Sequence, residues 1–456
     1  MKKILLAALV LTAFAAAAQD SVQNKTLTIT LDKALEIALS DNPTIKIADY
    51  EIDRVDYSKK AAWGALLPSL SASGQFTHFT VPGKIFQMGN ELDIPTIYQL
   101  KAGLSLQLPI IVPALWQAIN MSALDMQLSV EKARASKITL RSDVTKAYYN
   151  ILLAQDSYKA LQEGYKIAEE NHNLAKNRYE NGMAAEYDYI SAEVQMNNLL
   201  PNLLQVENAM AQAKLYLKVL MGLSKEVEIV ANENLANFEA QVARAKDDSL
   251  ALANNPDLLQ IDIQQRQLDK AISLQNTNHL PTLVGFGSYG YTGSPSRDMN
   301  LIFGADPDAT PPNPGMPVTM KGQSGRLLSD GLVLGLQLNI PIFSGMSNVY
   351  KTRQLKIQRK ELDLQREYVE QNLSVQVRTA IDNMEKAVRQ MESNKKAVEL
   401  ADKAYKISNT RYNVGASTML ELNNSALALT QSKLSYHQAI SDYLSAKADF
   451  EKIVGQ

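Results

Sequence analysis

The chain has 456 residues, with 46 basic against 48 acidic side chains and no cysteine. So even a balance leaves no electrostatic footprint for nucleic acid, and the absence of thiols excludes disulfide and thiolate chemistry. Beyond residue 18 no apolar run is long enough to cross a bilayer as a helix, whereas a β-barrel, whose strands alternate, stays open.

In chain order, Lys2 and Lys3 precede an apolar run over residues 4–18, and Ala16 with Ala18 forms an A-x-A cleavage site before Gln19. Residues 1–18 read as a secretory signal peptide, so export is expected. With no cysteine after the signal, a lipoprotein anchor is not expected.

A duplication organises the rest. Asn42-Pro43 recurs as Asn255-Pro256, and Leu67-Pro68-Ser69-Leu70 recurs as Leu280-Pro281-Thr282-Leu283, both at an offset of 213 residues. Leu108-Pro109-Ile110 matches Ile340-Pro341-Ile342 at 232. Arg178-Tyr179 with Gly182 matches Arg411-Tyr412 with Gly415 at 233, as Gly222 matches Gly455. The second half therefore carries an insertion within residues 293–330, a proline- and glycine-rich stretch expected as a long exposed loop. The repeats are read as 19–222 and 251–456, joined by an inter-repeat segment, 223–250. Each contains a first helix, a strand pair (69–110 or 282–342) and a long helical hairpin (113–222 or 345–456).

Leu100, Ala102, Leu104, Leu106, Leu108 and Ile110 occupy alternate positions, as do Leu332, Leu334, Leu336, Leu338 and Ile340. Small and polar residues lie between them. Strands about ten residues long with one apolar face suit lipid on one side and water on the other. The helices that follow run for more than sixty residues without proline. At 1.5 Å per residue each spans roughly 90–100 Å, more than a compact domain holds. Their heptad seams, such as Val144, Ile151, Tyr158 with Ala147, Ala154, Leu161, and Val377, Met384, Met391 with Ala380, Ala387, predict supercoiled packing. Pro201 predicts a kink in the first returning helix alone, since Leu434 is its counterpart. Four strands cannot close a barrel, and an open edge in lipid is costly, so further copies are required. Two copies would supply eight strands and a filled interior, three would supply twelve and a pore, and the residues alone allow both.

The order and spacing of these segments, with Leu27-Thr28-Ile29-Thr30-Leu31, Ala34-Leu35 and the two Arg-Tyr-x-x-Gly tips, resemble the TolC-like outer-membrane efflux proteins over essentially all of 19–456. The resemblance implies a mixed, mainly α fold: a homotrimer whose outer-membrane β-barrel takes four strands from each chain and continues into a periplasmic α-helical coiled-coil barrel. It implies the outer membrane of a Gram-negative bacterium, contact with outer-membrane lipid, and an equatorial region built from the termini and residues 224–246. The implied role is the channel-tunnel of a tripartite efflux or type I secretion system, passively conducting solutes. Its implied partners are a periplasmic adaptor (membrane fusion) protein and an inner-membrane efflux pump or ABC transporter.

The resemblance further implies a periplasmic gate at Tyr412, Glu421 and Asn424. Two positions depart from the family pattern: an acid is replaced by Asn424, and the usual basic residue by Ser417. Three copies of Glu421 near a threefold axis would still make a constriction attractive to cations. Adaptor docking would fall on Gly182, Met183 and Ala184 of one tip and on Val414, Gly415 and Ala416 of the other.

Other motifs carry less. Gly285-x-Gly287-x-x-Gly290 lies inside a predicted strand and so lacks the strand–turn–helix setting of a dinucleotide site. His78, His172, His279 and His437 are isolated, and no metal, cofactor or catalytic constellation is expected. Glu169-Glu170 reads as a solvated helix face. Trp63 and Trp116 flank the first strand pair, as interface anchors or as packing. The rival to the channel is a structural or adhesive coiled-coil stalk with a β anchor, against which the duplicated hairpins argue.

Overall fold

A computed structural model of the chain describes residues 26–81, 84–87, 90–93, 98–241, 251–295, 300–305, 317–321 and 326–456. The expected signal peptide and residues 242–250 of the inter-repeat segment lie outside them. Strand β1 (Thr26–Ile29) leads into helices α1 (Leu31–Asp41) and α2 (Pro43–Gly64). Strands β2 (Ser69–His78), β3 (Lys84–Gln87), β4 (Asn90–Asp93) and β5 (Tyr98–Ile111) follow. Then come α3 (Pro113–Glu180), α4 (Glu186–Asn197) and α5 (Leu200–Leu220). Strand β6 (Glu228–Ala231) and the 3-10 turns Leu235–Gln241 and Ala251–Asn254 precede α6 (Pro256–Thr277). Strands β7 (Thr282–Pro295), β8 (Asn300–Ala305), β9 (Pro317–Lys321) and β10 (Arg326–Asn339) lead to α7 (Ser347–Asn413) and α8 (Met419–Val454). The described residues form two compact units, one falling within Met1–Asp53, Leu128–Ile263 and Leu362–Gln456, the other within Arg54–Gln127 and Gln264–Glu361.

The second unit holds an antiparallel sheet of order β10-β7-β5-β2. Its register aligns Leu70 with Leu106, Leu104 with Tyr289, and Leu334 with Gly287. Because side chains alternate, Leu70, Leu104, Leu283 and Leu334 share one face, and Ser71, Ser105, Ser288 and Gln337 share the other. The apolar face is unusually bare: Leu70, Leu334 and Leu336 are 69%, 73% and 69% exposed. Pro109 fits a central strand because it lies past the end of the β2 ladder, next to a register shift against β7. Gly335 leaves room for the Phe286 ring, which would lie 2.5 Å from an added Cβ.

The expected long loop needs correction. β7 runs on to Pro295, β10 begins at Arg326, and β8 pairs antiparallel with β9 between them. Pro295 and Pro317 stand at ladder ends, where a missing N–H costs little. Trp63 and Trp116 meet edge to face, 6.2 Å between ring centres, and each stays half exposed.

The first unit is helical. Of the predicted seam, Val144, Ala147, Ile151, Ala154 and Leu161 are buried and Tyr158 is half-buried, while Val377, Ala380, Met384, Ala387 and Met391 are all buried. Each fully buried side chain such as Ile151 contributes about 1.5–3 kcal/mol. From Met391 the second seam carries no buried residue until Tyr412. In this unit β1 and β6 pair in parallel, a ladder that neither segment's own pattern announces because its partner lies far away in the chain. Tyr148 donates to Glu233, Asp156 accepts from the Leu235 amide, and Glu239 accepts from Tyr436 and Lys395. Burial, followed by the bond to Glu239, pushes the Tyr436 phenol up to about 12.

Asn42 and Asn255 tie each repeat's ends together. Asn42 Nδ2 donates to the Leu220 carbonyl at 2.7 Å while its Oδ1 caps the Thr44 amide. Asn255 does the same with the Ile453 carbonyl, also at 2.7 Å, and the Asp257 amide. Gly222 and Gly455 pass so close to Asp41 and Asn254 that an added Cβ would lie 2.7 and 2.4 Å from their carbonyl oxygens.

Candidate functional site

The two hairpin tips are built by the same local chemistry. Each long helix ends in a Schellman cap with a glycine at positive φ, 70° at Gly182 and 75° at Gly415. The Met183 amide donates to the Arg178 carbonyl at 2.8 Å, as does the Ala416 amide to the Arg411 carbonyl at 2.8 Å. These turns lift Met183 and Val414, 72% and 75% exposed, clear of the helices. Gly182, Gly415 and Ala416 are exposed as well, and Ala184 is half-buried.

Tyr412 is enclosed, packed with Ala175, Ala192, Met419 and Leu422. The Arg178 guanidinium lies 4.4 Å from its ring centre and donates to the Asn413 carbonyl at 2.9 Å. Arg178 thus clasps one tip to the other, a role its place in the Arg-Tyr motif did not disclose. Burial raises the Tyr412 phenol above its ordinary value, with Arg178 pulling the other way.

Glu421 and Asn424 are apart from this cluster. Both are exposed on α8, one turn from each other. Glu421 also has a structural duty: it sits in the first turn of α8, its amide donates to the capping Thr418 hydroxyl at 3.2 Å, and its carboxylate accepts from Ser417. Thr418-x-x-Glu421 is the spacing of a helix-capping signal, which sequence inspection could have found. Asn423, next to Asn424, is buried and accepts from Asn171 Nδ2 at 3.5 Å.

Among the described residues no group of His, Asp and Glu is placed to hold a metal, and no helix is long and apolar enough to cross a membrane. An amphipathic antiparallel sheet is joined in sequence to two capped helical hairpins. The fold is similar to that of the Campylobacter jejuni CmeC outer membrane channel, with a TM-score of 0.72 and 16% identity over 96% of this chain and 90% of that one. Residues 34–223 and 249–456 match the family of outer membrane efflux proteins, and the chain belongs to that family. It is 24% identical over 258 residues to outer membrane protein TolC of Vibrio cholerae, covering 56% of this chain and 53% of that protein. It is 25% identical over 325 residues to the probable efflux pump outer membrane protein TtgC of Pseudomonas putida, covering 70% of this chain and 60% of that protein. The matches therefore span between half and two thirds of these relatives' own length.

Proposed function

We propose that this chain is the outer-membrane channel of a tripartite efflux or type I secretion system, a homotrimer that conducts solutes passively. The observation that carries the reading is the four-stranded sheet, which has an apolar face, a polar face and two open edges, β2 and β10. Neighbouring strands in it are antiparallel throughout. The edge strand β10 of one copy therefore runs antiparallel to β2 of the next, and closure satisfies every edge group that lipid would leave bare. Three copies make twelve strands with a wet lumen, whereas two leave no pore. The paired Asn42 and Asn255 ties, at the same offset as the duplicated motifs, support an internal two-fold repeat.

In this reading the hairpins form a periplasmic coiled-coil tunnel. Gly182, Met183, Ala184, Val414, Gly415 and Ala416 meet an adaptor protein that is itself joined to an inner-membrane pump. Tyr412, Glu421 and Asn424 belong to the gate: Tyr412 holds the second hairpin in place and the two exposed side chains face the passage. The enclosed Tyr412 and the exposure of Glu421 and Asn424 support that division of labour. Native mass spectrometry of protein extracted from outer membranes tests the assembly, with a threefold multiple of the processed chain expected. A monomer in the periplasmic fraction would remove the channel.

A further inference from the structure

The polar face of the sheet carries a feature that channel architecture alone does not require. Side-chain alternation and register place Ser73, Gln75, Ser105, Ser288 and Thr292 on it together with Lys101. Among the described side chains of the four strands, Lys101 is the one charged group on this face; His78 and Asp330 fall on the opposite parity. It pairs across the ladder with Gln75 on one side and Thr292 on the other. It is exposed, and within the described residues it has no carboxylate partner. A concavity of about 450 Å³ opens there, lined by Lys101, Gln75, Ser105, Ser288 and Thr292 among others.

Resting on the trimeric barrel proposed above, we infer that three Lys101 side chains form a cationic ring inside the barrel that binds oxyanion groups of passing solutes. An ammonium offers three donors and a strongly hydrated positive charge, and the neighbouring hydroxyls and amides add hydrogen bonds of either sense. Rings of Lys or Arg are the usual physical basis of anion preference in pores, and low-dielectric walls focus the field. At physiological salt the Debye length is about 8 Å, so the ring acts on anions passing near the wall and most on polyvalent ones. Lys101 lies ten residues before Ile111, the end of β5. That separation is about 33 Å along the strand, which sets the ring towards the end of the barrel remote from the start of α3. Anionic solutes would be held there, at the mouth by which they leave the duct.

The test is block of single-channel current in planar bilayers by tripolyphosphate, added to the barrel side or the hairpin side. Wild-type channels are expected to be blocked preferentially from the barrel side, and Lys101→Gln to raise the half-blocking concentration there about fivefold. Lys101→Arg should keep the block. Gln75→Lys in the Lys101→Gln background, which returns the charge one strand over, should restore it. Equal half-blocking concentrations for wild type and Lys101→Gln, both conducting, would overturn the ring and leave the channel standing. Wild-type protein that forms no conducting pore at all would remove the channel and the ring together.

Discussion

The two hairpin tips share an arginine, a tyrosine and a glycine in the same backbone turn and use the two side chains differently. Arg178-Tyr179 and Arg411-Tyr412 occupy corresponding places before Gly182 and Gly415, and both tips close with Schellman caps. Yet Tyr412 is 4% exposed and Tyr179 is 40% exposed, stacked at 5.8 Å on Tyr189. Arg178 reaches across to the other tip, whereas Arg411 turns back onto its own Ala416 carbonyl at 3.0 Å. The helix after the second tip has a Thr418 cap and runs unbroken from Met419 to Val454; the one after the first has no side-chain cap at Ala185 and breaks at Asn198 and Leu199, just before Pro201. Backbone turns survive duplication because glycine and local hydrogen bonds specify them. Side-chain roles diverge because each tip packs against a different neighbour.

The largest difference is expected from Tyr412→Ala against Tyr179→Ala. The first empties a buried site, at a cost of about 3 kcal/mol, while the second loses a half-exposed stack and costs under about 1 kcal/mol. Hydrogen exchange at the start of α8 reads both, and equal protection loss in the two variants would break the distinction.

Asn42→Ala and Asn255→Ala should cost alike, about 1–2 kcal/mol each, since each loses a cap and a bond to a helix-end carbonyl. Denaturant unfolding of the two variants checks that the repeats remain equivalent here, in contrast to the tips.

A smaller effect concerns His437, which burial on α8 holds below the ordinary histidine value near 6.5. Nearby Asp156 and Glu163 oppose that shift, and Lys433 and Lys159 reinforce it. The unfolded chain therefore binds the proton more readily. Stability from neutral His437 is complete above about pH 6.5 and falls as pH drops towards the lower, folded value. His437→Gln should flatten that slope in thermal melts between pH 5 and pH 7, and an unchanged slope would remove His437 from the pH dependence.

The smallest is Glu421→Gln, expected to weaken block by multivalent cations from the hairpin side about threefold. Its amide bond to the Thr418 hydroxyl uses only the Glu421 backbone, so α8 should keep its start. Unchanged block would leave Glu421 with only its capping duty.

Alternation and heptad spacing are local properties of a chain. Strands β5 and β10, the long helices α3 and α7, the capping glycines and the break near Pro201 are therefore legible in the sequence alone. Local pattern misleads where pairing decides the outcome. Proline and glycine hide the strand extensions to Pro295 and from Arg326, because a ladder end tolerates residues that a central strand does not. The parallel ladder of β1 with β6 joins segments about two hundred residues apart, which no window of sequence can connect. The same holds at the candidate site. Glycine turns and the exposure of Val414 follow from sequence, but three features require the tertiary register: the clasp of Arg178 on Tyr412, the burial of Asn423 beside an exposed Asn424, and the placing of Lys101 between Gln75 and Thr292 on a polar face. Short-range sterics and periodicity determine which elements form; which of two identical residues is enclosed depends on what the fold brings against it.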